Sequence, residues 1–100
     1  ILDMGGGLGL ARPFLPARAV YTVADPVAAW AELAARGLPE GFPVAGSLER
    51  FVVTTGEQLP FPDETFDAVL ALWSLNHVQD PSRVIAESGR VLKRGGRFLV

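Results

Sequence analysis

The feature that most constrains the fold of this chain is a glycine-rich loop near its start. Four of the five positions from Gly5 to Gly9 are glycine, and they follow the apolar segment 1–4, which is typical of a short buried parallel strand. Glycine leaves the backbone free to approach a ligand, and a loop between a strand and a helix directs its N–H groups toward that ligand. One or two glycines would suffice for a flexible turn. The loop therefore indicates a site for a nucleotide-like ligand.

The spacing of the glycines separates two classes of binding loop. Dinucleotide-binding loops read G-x-G-x-x-G or G-x-G-x-x-A, and their third small residue packs the helix against the strand. Counted from Gly5 the third position holds Leu10, and counted from Gly7 it holds Arg12; both side chains are too large. The pattern that fits is D-x-G-x-G-x-G, which begins at Asp3.

Strand-like and helix-like segments alternate along the rest of the chain. Helices are expected over 8–16 and 27–36, and a third helix is expected to begin at Pro81. This alternation predicts an α/β fold with a parallel sheet. Because crossovers between parallel strands are right-handed, the expected architecture is a Rossmann-like doubly wound sheet in three α/β/α layers. The strand candidates, rich in β-branched and aromatic residues, are 1–4, 19–24, 51–55, 66–72 and 97–100.

Polar, proline and glycine residues mark the expected limits of helix 27–36. Asp25 is expected to be its N-cap and Pro26 its first residue, whereas Gly37 is expected to end it. Residues 38–48 contain several prolines and glycines and are expected to form a loop.

The helix that begins at Pro81 is expected to be amphipathic. The helix is expected to end at the pair Gly95-Gly96. The apolar residues expected on its one buried face are Val84, Ile85, Val91 and Leu92.

A second acidic residue, Asp25, ends the second strand candidate about 20 residues after the loop. A carboxylate at this place can accept hydrogen bonds from two ribose hydroxyls. It can also cap the following helix. Nicotinamide-binding proteins are among several classes that carry an acidic residue here, so Asp25 alone does not identify the ligand.

Composition excludes several kinds of site and partner. The chain has no cysteine and one histidine, His77, so thiolate and histidine-rich metal sites are excluded. Its net charge of −2 provides no basic field, and we expect no nucleic-acid partner. No run approaches the roughly 18 apolar residues of a membrane span, and no signal peptide is visible. These features lead us to expect a cytoplasmic location.

Several ordered segments resemble the class I S-adenosylmethionine-dependent methyltransferases. Besides the glycine loop, segment 59–69 (LPFPDETFDAV) is similar to the LPFPDxSFDxV segment of the subgroup that includes the ubiquinone and menaquinone biosynthesis enzymes, the methyltransferase type 11 domain. Segments 75–81 and 90–97 are similar to that subgroup as well. The resemblance implies the strand order 3-2-1-4-5, S-adenosylmethionine as cofactor, and methyl transfer to a small-molecule acceptor.

The resemblance also implies which residues bind the cofactor. Asp3 would lie near the cofactor's amino group, and the glycines would curve around its methionine part. Thr55 stands where the family usually has an aspartate that accepts a hydrogen bond from the adenine amino group, so weaker adenine recognition is expected. The predicted cofactor-binding residues are Asp3, Gly5, Gly6, Gly7, Gly9, Asp25, Pro26, Thr55, Gly56, Glu57 and Leu72.

Residues that act on the acceptor are not predicted from this chain. The family's substrate-selecting residues lie largely before the first strand and after the fifth. Trp73 and Ser74 could face the cofactor or the substrate, and His77 is expected to make a structural hydrogen bond rather than to act as a base. The sequence predicts no oligomeric state.

Two other functions stay open at this point. A domain that binds the cofactor without turnover, as a sensor or scaffold, is one alternative; an NAD(P)-dependent oxidoreductase is the other. Because the chain begins and ends within strand-like runs, we expect residues 1–100 to be the cofactor-binding core of a longer polypeptide, cut before the last two strands.

Overall fold

The computed structural model describes residues 1–36, 50–72 and 74–100. Within them, five parallel strands form one sheet. They are β1 (Leu2–Met4), β2 (Thr22–Asp25), β3 (Arg50–Val53), β4 (Phe66–Leu70) and β5 (Leu92–Leu99). Their order in the sheet, β3-β2-β1-β4-β5, confirms the predicted order.

The described residues form two α-helices, α1 (Ala28–Arg36) and α2 (Pro81–Val91). The chain passes from β2 through α1 to β3 in one direction along the sheet, and from β4 through α2 to β5 in the other. Right-handed crossovers that run in opposite directions place their helices on opposite faces. The doubly wound arrangement is therefore confirmed, and strand order reverses between β1 and β4, where such sheets open a crevice at their carboxyl ends.

The hydrophobic core joins one face of the sheet to α2. Leu2 and Met4 of β1 and Val69 of β4 are at most 3% exposed, and α2 contributes Val84 and Val91 to the same cluster. Full burial of side chains of this size contributes about 1.5–3 kcal/mol each. Because the side chains of β1 pack against α2, the end of β1 is fixed, and with it the start of the glycine loop.

The buried stripe of α2 differs from the predicted one. Val84, Ser88 and Val91 are buried, whereas Ile85, which was predicted to share the apolar face, is 50% exposed. Ser88 can occupy the core because its hydroxyl donates to the Val84 carbonyl at 2.6 Å. Its small side chain also brings α2 close to β1, with the Met4 sulfur 3.6 Å from the hydroxyl.

The pair Gly95-Gly96 does not end α2, so that prediction is wrong. The helix ends at Val91 and β5 begins at Leu92, with the glycines inside the strand. Pairing of β5 with β4 shifts register within this part of the strand, which is typical of a bulge. Gly95 has a φ of +76°, and a Cβ on Gly96 would lie 2.8 Å from the backbone carbonyl oxygen of Lys93. The bulge, rather than a helix stop, requires both glycines.

The start of α1 also differs from the prediction. The helix begins at Ala28, so Pro26 is not its first residue and Asp25 lies too far ahead of it to be its N-cap. The Asp25 carboxylate makes the same kind of hydrogen bond one turn earlier, where it accepts the N–H of Val27 at 2.8 Å. The predicted end at Gly37 and the predicted loop 38–48 lie outside the described residues.

The predicted helix over 8–16 is reduced to a single 3-10 turn, Arg12–Phe14. Pro13 lacks a backbone N–H and therefore cannot take part in a regular helix beyond its first turn. The Arg12 guanidinium closes the segment by donating to the Pro16 carbonyl at 3.1 Å. The glycine loop thus continues into a compact turn.

A charged pair on α2 fastens segment 59–63 to the core. The Arg90 guanidinium donates to the carbonyls of Leu59 at 3.0 Å and Phe61 at 2.8 Å. Glu87 accepts the Leu59 N–H at 2.8 Å and binds Arg90 at 2.8 Å. The hydrogen bond from Arg90 lowers the pKa of Glu87 to about 2. The segment most similar to the methyltransferases is therefore built into the fold through α2.

Replacing Glu87 with glutamine should lower the free energy of unfolding at neutral pH by about 1.5–3 kcal/mol, the range for hydrogen bonds that involve a charged group. The pKa of Glu87 is lowered by folding, from 4.5 to about 2. Its contribution is therefore present above about pH 4.5 and is lost as the pH falls toward 2. Urea unfolding of wild type and E87Q between pH 7 and pH 2.5 measures this difference.

The free energies of unfolding of wild type and E87Q should approach each other as the pH falls to 2.5. Glu64→Gln is the matched control, because Glu64 is 61% exposed and lies 3.9 Å from the exposed Arg94. We expect that control to change stability by less than about 0.5 kcal/mol. A gap between wild type and E87Q that stays constant across the pH range would contradict the account.

Candidate functional site

A cleft of about 550 Å³ opens at the carboxyl ends of β1 and β2. It lies beside the reversal of strand order, where open α/β sheets bind ligands. Its volume falls in the range of roughly 300–1,000 Å³ for small-molecule sites. Six of the eleven predicted cofactor-binding residues line it, namely Gly5, Asp25, Pro26, Thr55, Gly56 and Glu57.

The glycine loop turns sharply as it leaves β1. Gly5, Gly7 and Gly9 have φ values of +68°, +53° and +77°, a region that glycine enters without steric cost. The Gly5 N–H donates to the Ala24 carbonyl at 2.7 Å, and a Cβ on Gly5 would lie only 2.6 Å from the Ser74 Cβ. The loop is therefore packed between the end of β2 and the segment after β4.

The Asp25 carboxylate is buried at the end of β2, directly beside the loop. Asp25 is 5% exposed, and its Oδ2 accepts the Gly7 N–H at 3.0 Å while its Oδ1 accepts the Val27 N–H at 2.8 Å. Each carboxylate oxygen can accept a second hydrogen bond. Asp25 thus holds the loop in place and still presents acceptor capacity to the cleft that it lines.

Asp3 lies beneath the loop, outside the cleft lining. It is 4% exposed, and its carboxylate accepts a hydrogen bond from the Tyr21 hydroxyl. A Cβ on Gly6 would lie 2.6 Å from the Asp3 Oδ2. Burial raises the pKa of Asp3; the hydrogen bond from Tyr21 opposes this shift, and the nearby charge of Asp25 adds to it.

The other predicted residues surround the cleft without lining it. Gly6 covers Asp3, and Gly9 is buried farther along the loop. Gly7 faces Trp30, whose indole Nε1 would lie 3.8 Å from a Cβ at that position. Leu72 is 43% exposed after β4.

Thr55 and Glu57 form the edge of the cleft beyond β3. The Glu57 carboxylate accepts the N–H groups of Gln79 at 3.0 Å and Asp80 at 3.3 Å. Burial raises the pKa of Glu57, but these backbone donors and the Thr55 hydroxyl outweigh it and hold the pKa below its ordinary value. Glu57 therefore joins two walls of the cleft.

Several cleft residues were not predicted as cofactor-binding. Trp30 and Gln79 line the cleft, as do Ser74, which was expected to face the cofactor or the substrate, and His77, which was expected to make a structural hydrogen bond. Trp30 comes five residues after Asp25 and lies in the first turn of α1, and this closeness to the end of β2 is the signal that could have indicated it. His77 is exposed at the cleft. The unassigned Trp73 lies outside the described residues.

Within residues 1–36, 50–72 and 74–100, neither α-helix has the length and apolar character that a membrane span requires. The same residues contain no group of three or more His, Cys, Asp or Glu side chains that could hold a metal ion.

Comparison with known proteins identifies the family. Residues 2–100 match a family model described as a methyltransferase domain. The chain belongs to this methyltransferase family. The match runs along nearly the whole chain and therefore includes both the glycine loop and segment 59–69, which confirms the family predicted from the sequence.

Curated relatives of this methyltransferase domain have different named acceptors. It is 41% identical over 107 residues to a ubiquinone/menaquinone biosynthesis C-methyltransferase of Stutzerimonas stutzeri, covering 100% of this chain and 40% of that protein. It is 32% identical over 101 residues to a phosphatidylethanolamine N-methyltransferase of Cereibacter sphaeroides, covering 100% and 48%. The chain thus spans less than half the length of these relatives.

A solved structure shares the fold. A Thermotoga maritima protein described as an S-adenosylmethionine-dependent methyltransferase, possibly a histamine N-methyltransferase, matches with a TM-score of 0.70 and 31% identity. The match covers 95% of this chain and 40% of that one. The Rossmann-like methyltransferase architecture of the described sheet is thereby confirmed.

Proposed function

We propose that the protein transfers the methyl group of S-adenosylmethionine to a small-molecule acceptor, and that residues 1–100 are its cofactor-binding core. The observation that carries this proposal is the cleft at the carboxyl ends of β1 and β2, where a positive-φ glycine loop meets the buried carboxylate of Asp25. Membership in the methyltransferase family supports the choice of cofactor.

The residues of the cleft suit the parts of this cofactor. Gly5 lines the cleft and has no side chain, so the loop offers bare backbone to the methionine part. Asp25 has acceptor capacity for ribose hydroxyls. Pro26 and Val27 line the cleft and suit an apolar wall for the adenine, and Gly56, which also lines the cleft, would offer its backbone N–H to the ring.

The chemical task of these residues is placement. When bound, S-adenosylmethionine supplies a sulfonium group that is already a reactive methyl donor. Residues that fix its orientation relative to a nucleophile can therefore lower the barrier by roughly 7–11 kcal/mol through positioning alone. Asp25 is suited to this role because two backbone N–H groups already hold its carboxylate in one orientation.

We propose that the acceptor is selected outside residues 1–100. Two relatives that align with the whole of this chain are named for different acceptors, one for quinone biosynthesis and one for phosphatidylethanolamine. A segment common to such proteins is suited to the shared cofactor rather than to either acceptor. With this function we propose a cytoplasmic location, which the absence of cysteine supports.

Calorimetry tests the proposed cofactor. The folded full-length protein should bind S-adenosylmethionine and S-adenosylhomocysteine, and should show no comparable affinity for NAD. Asp25→Asn should weaken binding of both by about 10- to 100-fold, because it replaces a charged acceptor with a neutral one. Asp67→Asn is the control, since Asp67 is an exposed carboxylate on β4 with a side chain 82% exposed. Absence of measurable binding to the folded wild type would overturn the proposal.

Thr55→Asp should strengthen cofactor binding by roughly fivefold, since a charged acceptor for the adenine amino group is worth about 1 kcal/mol more than a neutral hydroxyl. The gain should appear with 5′-methylthioadenosine and vanish with 5′-methylthioinosine, which lacks that amino group. Thr55→Asn tests the contact without adding charge beside Glu57. Unchanged or reduced affinity of both variants for 5′-methylthioadenosine would show that Thr55 does not stand at the adenine amino group.

A further inference from the structure

Tyr21 is a buried polar residue to which neither the family resemblance nor the cleft assigns a function. It immediately precedes β2 and is fully buried. The β1–β2 register pairs Asp3 with Val23, so Tyr21, two residues earlier, lies on the same face of the sheet as Asp3. Its hydroxyl donates to the Asp3 carboxylate. The two side chains form a buried pair under the glycine loop.

Through Asp3, this pair lies against the glycine loop. Gly6 lies so close to Asp3 that a Cβ at Gly6 would be 2.6 Å from the Asp3 Oδ2. The next residue, Gly7, donates its N–H to the Asp25 Oδ2 at 3.0 Å. Carboxylates on two neighbouring strands therefore contact consecutive residues of the loop.

Asp3 needs a fixed donor to remain where it is. Its carboxylate is buried, and the negative charge of Asp25 is close enough to raise its pKa further. A buried carboxylate without a hydrogen-bond donor is strongly unfavourable, and repulsion from Asp25 would displace it. The Tyr21 hydroxyl supplies that donor.

We propose that Tyr21 is a positioning residue of the cofactor site, which holds Asp3 against the underside of the glycine loop, and that Asp3 acts on the cofactor through the loop rather than by direct contact. The inference rests on the proposed function. It differs from what the family resemblance implies for Asp3, a place near the cofactor's amino group, because Asp3 is buried and does not line the cleft.

Three variants of the full-length protein test the pair: Tyr21→Phe, Asp3→Asn and the double variant. Tyr21→Phe should weaken S-adenosylmethionine binding by about tenfold, the effect of one hydrogen bond. Because both substitutions act on one interaction, the double variant should bind no more weakly than the weaker single variant. Affinity of Tyr21→Phe equal to wild type, or fully additive losses in the double variant, would overturn the inference.

A shorter ligand separates action through the loop from direct contact. 5′-Methylthioadenosine lacks the amino group but keeps the ribose, which the loop affects through the Gly7–Asp25 hydrogen bond. Asp3→Asn, which preserves the shape of the side chain, should weaken binding of both ligands. A loss confined to S-adenosylmethionine would establish direct contact with the amino group and overturn the inference. This comparison needs no Tyr21 variant, so it tests the action of Asp3 through the loop even if Tyr21→Phe does not fold.

Thr22→Val is the matched control for a general effect on β2. Thr22 is 3% exposed and is next to Tyr21, but its side chain lies on the opposite face of the sheet. The Thr22→Val variant should keep its affinity for S-adenosylmethionine within about twofold of wild type. If Thr22→Val weakens binding as much as Tyr21→Phe does, Tyr21 has no specific role. A wild type without affinity for S-adenosylmethionine would overturn the proposed function and this inference together, whereas normal wild-type binding with unaffected variants would overturn the inference alone.

Discussion

The hydrogen bond from the Gly7 N–H to the Asp25 carboxylate is the interaction on which the arrangement of the site depends. It joins residues 18 positions apart at 3.0 Å and fixes the glycine loop to the end of β2. The same carboxylate accepts the Val27 N–H and so shapes the turn into α1. One buried charge thus sets the positions of the loop, the end of a strand and the approach to a helix. The cleft is formed where these three meet.

Structure and sequence agree where a single residue type is physically required. The positive φ angles of Gly5, Gly7 and Gly9 are accessible mainly to glycine, so the loop could be predicted from its spacing. The pair Gly95-Gly96 shows the limit of such reasoning, because glycine suits a helix stop and a strand bulge equally well. Only the shift in pairing between β4 and β5 distinguishes them, and it depends on residues distant in the chain.

For Asp3 and Asp25, too, the sequence predicted part of what the structure shows. A carboxylate at the end of β2 was predicted to bind ribose or to cap a helix; in the structure Asp25 holds the glycine loop and the turn before α1 through the N–H groups of Gly7 and Val27. The hydrogen bond from Tyr21 to Asp3 could not be predicted, because the two residues lie 18 positions apart in the chain. Contacts of this range follow from strand register, which local composition does not specify.

Segment 59–69 identifies the family more specifically than the loop does, yet its described contacts are structural. Leu59 and Phe61 are bound by Glu87 and Arg90 of α2, away from the cleft lining. Residues that fasten α2 to the core keep the floor of the cleft in place, since Val84 of α2 contributes to that floor. We infer that segment 59–69 resembles the family because it holds α2 in place beneath the cleft, not because it contacts the ligand.

We propose that S-adenosylmethionine binds between the glycine loop and the segment after β3. Titration of the ¹⁵N-labelled protein with S-adenosylmethionine, followed by amide NMR shifts, tests it most directly. We predict that the amides of Gly5 and Gly7 and of Gly56 shift together with one dissociation constant, whereas those of Gly95 and Gly96 in the β5 bulge do not move. Shifts absent from the loop, or confined to β5, would contradict the account.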